Sequence, residues 1–179
     1  MGTEVAVFGS SEPAPGEPVY ETARRLGFLL ARSGYGVVNG GYGGVMEAAS
    51  LGAREGGGRA TGVTTRVFEA RGAGNRYLTR TICEENLHDR TRRLMEMGSA
   101  YIILAGKAGT LAELAFLWAL HRAGQLGGKP IVLLGPFWSG FVEDLVKRDL
   151  LEPGQAAVTA YAATPEEAIE IIRRQVTPE

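Results

Sequence analysis

The sequence holds one cysteine and two histidines, and a direct count gives three lysines. Cys83 has no partner for an internal disulfide, which fits a reducing compartment and sets the expectation of a cytoplasmic chain. No basic-then-apolar leader is present, and no stretch approaches the roughly 20 apolar residues of a bilayer span, so no membrane is expected as a partner. The formal net charge of -1 over 179 residues gives no electrostatic reason to expect nucleic acid. No His/Cys group has the spacing of metal ligands, so no metal site is expected; no cofactor is expected either. Two nucleotide fingerprints are also missing: Gly-x-Gly-x-x-Gly with its ribose-binding acid, and the Gly-Lys-Ser/Thr of a P-loop.

Glycine, by contrast, is abundant, with 26 residues clustered between apolar runs and no fixed period. Tight turns between strands and helices explain most of them. Strand-like and helix-like segments alternate along the chain. Val5–Phe8 reads as a strand, followed by a helix from Pro18 to Arg32 with Tyr20, Ala23, Leu26, Leu29 and Leu30 on one face and Gly34 as its C-terminal stop. Strands are expected at Tyr35–Val38, Ala60–Thr64, Tyr77–Cys83, Ala100–Leu104, Pro130–Leu134 and around Ala157–Val158. Helices are expected from about Val45, over Leu87–Met97, through Leu114–Leu120, near Gly140–Leu150 and over Pro165–Arg174. Between Thr65 and Arg76 the composition predicts a mobile loop. Strands apolar on both faces and separated by helices imply a mainly parallel sheet covered on both sides. The expected fold is a single Rossmann-like α/β domain over residues 1–179, a three-layer sandwich whose ligands bind beyond the carboxyl ends of the strands.

Two glycine turns mark that end of the sheet, Asn39-Gly40-Gly41-Tyr42-Gly43-Gly44 and Leu104-Ala105-Gly106-Lys107-Ala108-Gly109-Thr110. A glycine turn entering a helix lets backbone N–H groups approach a phosphate at the positive end of the helix dipole. Thr110 is expected as the N-cap. Glu113 then either closes a capping box or faces the ligand. Lys107 is a flexible cation at the same turn, which clamps an anion or points to water. Ser10 and Ser11, after Gly9, serve equally as ligand contacts or helix-entry residues.

Three arginines fall within one turn at Arg90, Arg92 and Arg93. Position alone leaves Arg90 open between an anion-holding role and a solvated face, and favours solvent for Arg92. The same two options exist for Arg66, Arg71 and Arg76. His88 and Asp89 are neighbours on a helix and do not face each other. His121 reads as a cap or surface residue, and Glu84 and Glu85 as complements to a helix dipole. The stretch around Phe116, Leu117 and Trp118 is apolar nearly all round, which means burial in the core or in a subunit interface.

Residues 105–113 resemble the Pro-Gly-Gly-x-Gly-Thr-x-x-Glu hallmark of the Lonely Guy proteins (often labelled lysine decarboxylase-like), matching at Gly106, Gly109, Thr110 and Glu113. Asn39 to Met46 is similar to the family's Gly-Gly-x-x-Gly-Leu-Met turn, with Gly40, Gly41, Gly43 and Gly44, and Phe8-Gly9-Ser10-Ser11 to its first strand end. The resemblance covers about residues 4–135. It implies a phosphoribohydrolase that cleaves the N-glycosidic bond of a cytokinin riboside 5′-monophosphate, or of AMP, to free base and ribose 5-phosphate. It implies Arg90 and Glu113 as catalytic residues. It implies that Gly106, Gly109 and Thr110 hold the 5′-phosphate, and that a homodimer forms through helices near the motif. Gly9, Ser10, Gly40, Gly41, Gly43, Gly44 and Lys107, on the same turns, complete the candidate nucleotide contacts. Ala105, Lys107 and Thr91 depart from the family pattern. The same fold also resembles molybdenum-cofactor carriers, which hold a phosphorylated ligand without consuming it. Lysine decarboxylation is set aside, since Lys107 on a glycine turn does not suit a pyridoxal-phosphate lysine.

Overall fold

Alternating apolar residues along the central strands feed two separate cores. In the computed structural model, which describes residues 2–72 and 74–178, Val5 and Val7 of β1 (Glu4–Phe8) enter one core, while Ala6 and Phe8 enter the other. The side chains of residues 69–71 lie outside this description.

The chain runs β1, α1 (Pro18–Arg32), β2 (Gly36–Asn39), α2 (Val45–Glu55), β3 (Ala60–Thr65), a 3-10 segment (Arg66–Arg71), β4 (Arg80–Glu84), α3 (Leu87–Met97) and β5 (Gly98–Ile103). It continues with α4 (Ala108–Arg122), β6 (Ile131–Leu134), a 3-10 turn (Pro136–Trp138), α5 (Phe141–Lys147), α6 (Pro153–Ala157), β7 (Thr159–Ala162) and α7 (Pro165–Arg173). The strands form one sheet in the order β4-β3-β2-β1-β5-β6-β7, every neighbouring pair parallel. Helices α1, α2 and α7 cover one face; α3, α4, α5 and α6 cover the other. This is the expected single-domain Rossmann-like three-layer sandwich.

Helix α1 ends as its sequence predicts. Gly34, at φ +88°, turns the chain so that its N–H reaches Ala31 O and the Tyr35 N–H reaches Leu30 O, a Schellman closure. Not every glycine serves a turn, however. Gly27 and Gly52 sit inside α1 and α2 where each helix meets the other's backbone, and neither site has room for a Cβ.

Three local expectations need correction. The segment after β3 is a 3-10 turn with a kink at Phe68. Ala157 closes the short helix α6, and the last strand begins after it at Thr159. Helix α4 begins at Ala108, so Lys107 is its N-cap and Thr110 already lies inside the first turn. Among the described residues, no helix is long and apolar enough to cross a membrane.

The sheet order fixes where a ligand can sit. From β1 the chain proceeds outward through β2, β3 and β4, and it later returns to build β5 on the other side of β1. The loops after β1 and β5 therefore part at a topological switch point, above the paired Phe8 and Ile103.

Candidate functional site

The opening between those loops is floored by backbone. The Ser10 N–H donates to Ala105 O at 3.0 Å, and the Val45 N–H donates to Ser10 O at 2.9 Å. One residue thus ties the β1 loop to the β5 loop and to the start of α2. Close approach demands small residues here: a Cβ on Gly9 would overlap Val45, and one on Gly44 would overlap the backbone of Ser10 and Ser11. The Ser10 hydroxyl accepts from Glu12 N, at 3.2 Å.

The 39–44 turn is held from inside by Asn39. Its fully buried side chain donates to Met46 O and to Ser50 Oγ, each at 3.0 Å, and accepts from Gly41 N at 2.8 Å. Sequence reasoning treated Asn39 only as part of the turn. The signal was an Asn at a strand end before two glycines, the pattern of an Asx turn. From outside, Asn75 N donates to Gly41 O at 2.7 Å and Asn75 Nδ2 to Tyr42 O at 3.1 Å.

Helix α3 starts at Asn86, whose side chain accepts from Asp89 N. That start sets the helical phase, and the phase separates the three arginines. Arg92 points outward to Asp89 and Glu96 at the rim, and Arg93 pairs with Glu84 at 2.8 Å. Arg90 turns inward and is only 8% exposed. Its Nε donates to Val63 O at 2.8 Å, and its guanidinium carbon lies 5.8 Å from the centre of the Tyr42 ring. Phe68 meets Tyr42 edge-on at 5.9 Å, and Thr65 N donates to the Tyr42 hydroxyl. Arg66 is spent on Glu85 at 3.3 Å and Arg76 on the Tyr77 hydroxyl at 2.7 Å, so neither closes over the opening. The Arg71 side chain lies outside the described residues. Glu84 and Glu85, just before α3, are ion-pair partners of Arg93 and Arg66.

Across from Arg90 stands the first turn of α4. Thr110 is buried and packs against Gly106, where a Cβ would meet its hydroxyl. No capping box with Glu113 forms, because the helix is already under way at Thr110. Glu113 faces the opening instead. Burial pushes its carboxyl up to about 7 from the usual 4.5, and the Arg90 guanidinium offsets only part of that rise. Lys107 reaches back over the opening to Glu12, with Nζ 2.7 Å from Oε1.

These walls enclose a cleft of about 820 Å³. Gly9, Ser10, Gly40, Arg90, Lys107, Gly109, Thr110 and Glu113 line it; Gly41, Gly43, Gly44 and Gly106, expected at the site, belong to its turns but do not line it. Its apolar lining comes from Phe8, Tyr42, Met46, Phe68, Leu87 and Phe116. His88 is on its rim, and His121 is half-buried near the end of α4. Among the described residues, no group of three or more His, Cys, Asp or Glu is placed to hold a metal ion. Leu117 and Trp118 point into the core, with Trp118 Nε1 donating to Thr159 Oγ1 at 2.8 Å, whereas Phe116 is 42% exposed.

The arrangement has the parts for a phosphorylated ligand with an apolar end: helix N-terminal amides, a buried arginine and a carboxyl group that titrates near neutrality. The chain is 31% identical over 140 residues to the Mycobacterium tuberculosis protein named cytokinin riboside 5′-monophosphate phosphoribohydrolase, covering 76% of this chain and 72% of that one. A structural-genomics target structure is 29% identical with a TM-score of 0.76, over 96% of this chain and 99% of the other. The molybdenum cofactor binding protein of Rippkaea orientalis, 24% identical over 98% of each chain, shares the fold with a TM-score of 0.77. The model of the SLOG cluster4 family matches residues 2–169, and the chain belongs to that family, which is Lonely Guy-like.

Proposed function

We propose that the protein is a nucleoside 5′-monophosphate phosphoribohydrolase, cleaving the N-glycosidic bond of a cytokinin riboside 5′-monophosphate or of AMP. The observation that carries this reading is Glu113 and Arg90 facing one cleft beside the first turn of α4. Breaking a ribosyl–base bond builds positive charge on the sugar. An ionised Glu113 stabilises that charge and orients the attacking water. Arg90, held by Val63 O, orients the substrate and balances the electron density that collects on the departing base, which takes up a proton as water adds to the ribose. Gly109, Thr110 and Lys107 hold the 5′-phosphate at the helix terminus, with Gly106 shaping that turn. Gly9, Ser10 and Gly40 line the nucleotide's path, and Gly41, Gly43 and Gly44 keep that path open.

The active form in this proposal is a cytoplasmic homodimer. Leu111, Ala112, Ala115, Phe116 and Ala119 make an exposed apolar face on α4, and a second copy of the chain covers it. The test is release of free base from a panel of nucleoside 5′-monophosphates by wild type, Glu113→Gln and Arg90→Ala. Turnover lost in both variants supports the reading. Tight nucleotide binding without turnover, unaffected by Glu113→Gln, replaces the hydrolase with a carrier of a phosphorylated ligand. Lys107 within the phosphate turn and the likeness to the Rippkaea protein favour that second reading.

A further inference from the structure

Glu12 and Lys107 occupy opposite lips of the cleft, one on the loop after β1 and the other at the N-cap of α4. Both side chains are exposed, at 63% and 74%, and their charged atoms meet at 2.7 Å. An ammonium at a helix N-cap is well placed to hold an anion at the first-turn amides. A carboxylate of the same chain already holds it. A phosphate monoester carries close to two negative charges at neutral pH and three strong acceptor oxygens, so it is a better partner for the ammonium than one carboxylate.

We propose that Glu12 is an internal stand-in for the ligand's phosphate: it latches Lys107 at the mouth of the cleft and yields it when a phosphomonoester enters. This rests on the phosphate reading of the site above. When Lys107 turns to the phosphate, Glu12 loses its partner and faces an anion, so the β1–α1 loop carrying it swings outward. When a phosphorylated product leaves, Glu12 recaptures the ammonium and the lips close. The latch lowers affinity for every phosphate-bearing ligand and does nothing to an uncharged nucleoside. Exposed ion pairs are weak, which suits a latch that must open: breaking one changes an equilibrium constant by a factor of about two to five.

The test is calorimetric binding of inorganic phosphate, AMP and adenosine to wild type, Glu12→Gln, Lys107→Ala and the double variant. Both positions are exposed, so the variants should fold. Glu12→Gln is expected to tighten phosphate and AMP by about two- to fivefold, to leave adenosine unchanged, and to lose its effect when Lys107 is Ala. An equal gain with and without Lys107 means that Glu12 only repels anions through solvent, and overturns the latch. So does a silent Glu12→Gln. Base release from AMP together with a silent Glu12→Gln removes the latch and leaves the hydrolase standing. The expected Lys107-dependent gain with no base release from any nucleotide keeps the latch and removes the hydrolase. Absence of phosphate binding to every variant removes the latch at once.

Discussion

Gly40 and Arg90 meet so closely that a Cβ on Gly40 would take the place of the Arg90 Nη2 atom. The glycine is therefore a spatial requirement of the arginine. The Arg90 side chain is fixed at its Nε by Val63 O and faced by Tyr42, so it cannot yield without leaving its position. Gly40→Ala is expected to cut base release at least tenfold while costing about 1–3 kcal/mol of stability, the usual penalty of overpacking. The check is kcat/KM beside a denaturant melt. Full activity in a folded Gly40→Ala protein would show that Arg90's position does not matter.

Glu113 links activity to stability through pH. Its carboxyl titrates near 7 in the folded chain against about 4.5 when exposed, so folding favours the protonated form. Stability is therefore complete below about pH 4.5 and declines as pH rises through about 7. Glu113→Gln removes that decline: it should melt like wild type at pH 4 and be more stable by about 1–3 kcal/mol at pH 8. In the hydrolase reading the ionised form is the working one, so wild-type turnover should climb with pH through about 7, and the residual rate of the variant should be flat. Turnover that falls over that range would make Glu113 a proton donor instead.

Asn39 is expected to be structurally costly to replace although it does not line the cleft. Asn39→Ala leaves Gly41 N without its side-chain partner in a buried place and takes a donor from Met46 O and Ser50 Oγ, although the Ser50 hydroxyl still donates to Met46 O, at a cost of about 2–3 kcal/mol. For a chain of this size that lowers Tm by about 4–12 °C. Asn39→Asp keeps the acceptor for Gly41 but loses both donors and buries a charge, so it should be worse than Asn39→Ala. A milder effect from Asp would mean that the turn is held mainly by Asn75.

The parts of this molecule that follow one local rule were legible in the sequence. The bounds of α1 and α3 follow from apolar periodicity with Pro18 and Asn86 at their starts, and the sheet from apolar strands between helices. The start of α4 was not, because Thr110 is a far better N-cap by type than Lys107, and the chain used Thr110's hydroxyl face for packing on Gly106 instead. Helix α6 was missed because five residues are too few for periodicity, although Glu152 and Gln155 do form a capping box. Position favoured solvent for Arg92, but only the family pattern singled out Arg90 for the site. The reason lies outside the helix, in the Val63 carbonyl that Arg90 reaches across 27 positions. Glu12 had no local signal at all, since its partner is 95 residues away.

The exposed face of α4 yields the last prediction. Phe116 lines the cleft and is also 42% exposed, while its neighbours Leu117 and Trp118 are in the core. An aromatic ring left half in water beside Leu111, Ala112, Ala115 and Ala119 suits burial against a second copy better than it suits solvent. Light scattering at tens of micromolar should give twice the chain mass for wild type. Phe116→Glu, which plants a charge in the middle of that face, should give the monomer mass with the fold intact by circular dichroism. Since the same ring borders the cleft, the monomer should also bind AMP more weakly. A wild-type chain that is monomeric at that concentration, or a Phe116→Glu protein that stays dimeric, would place the α4 face outside any interface and leave Phe116 a wall of the cleft alone.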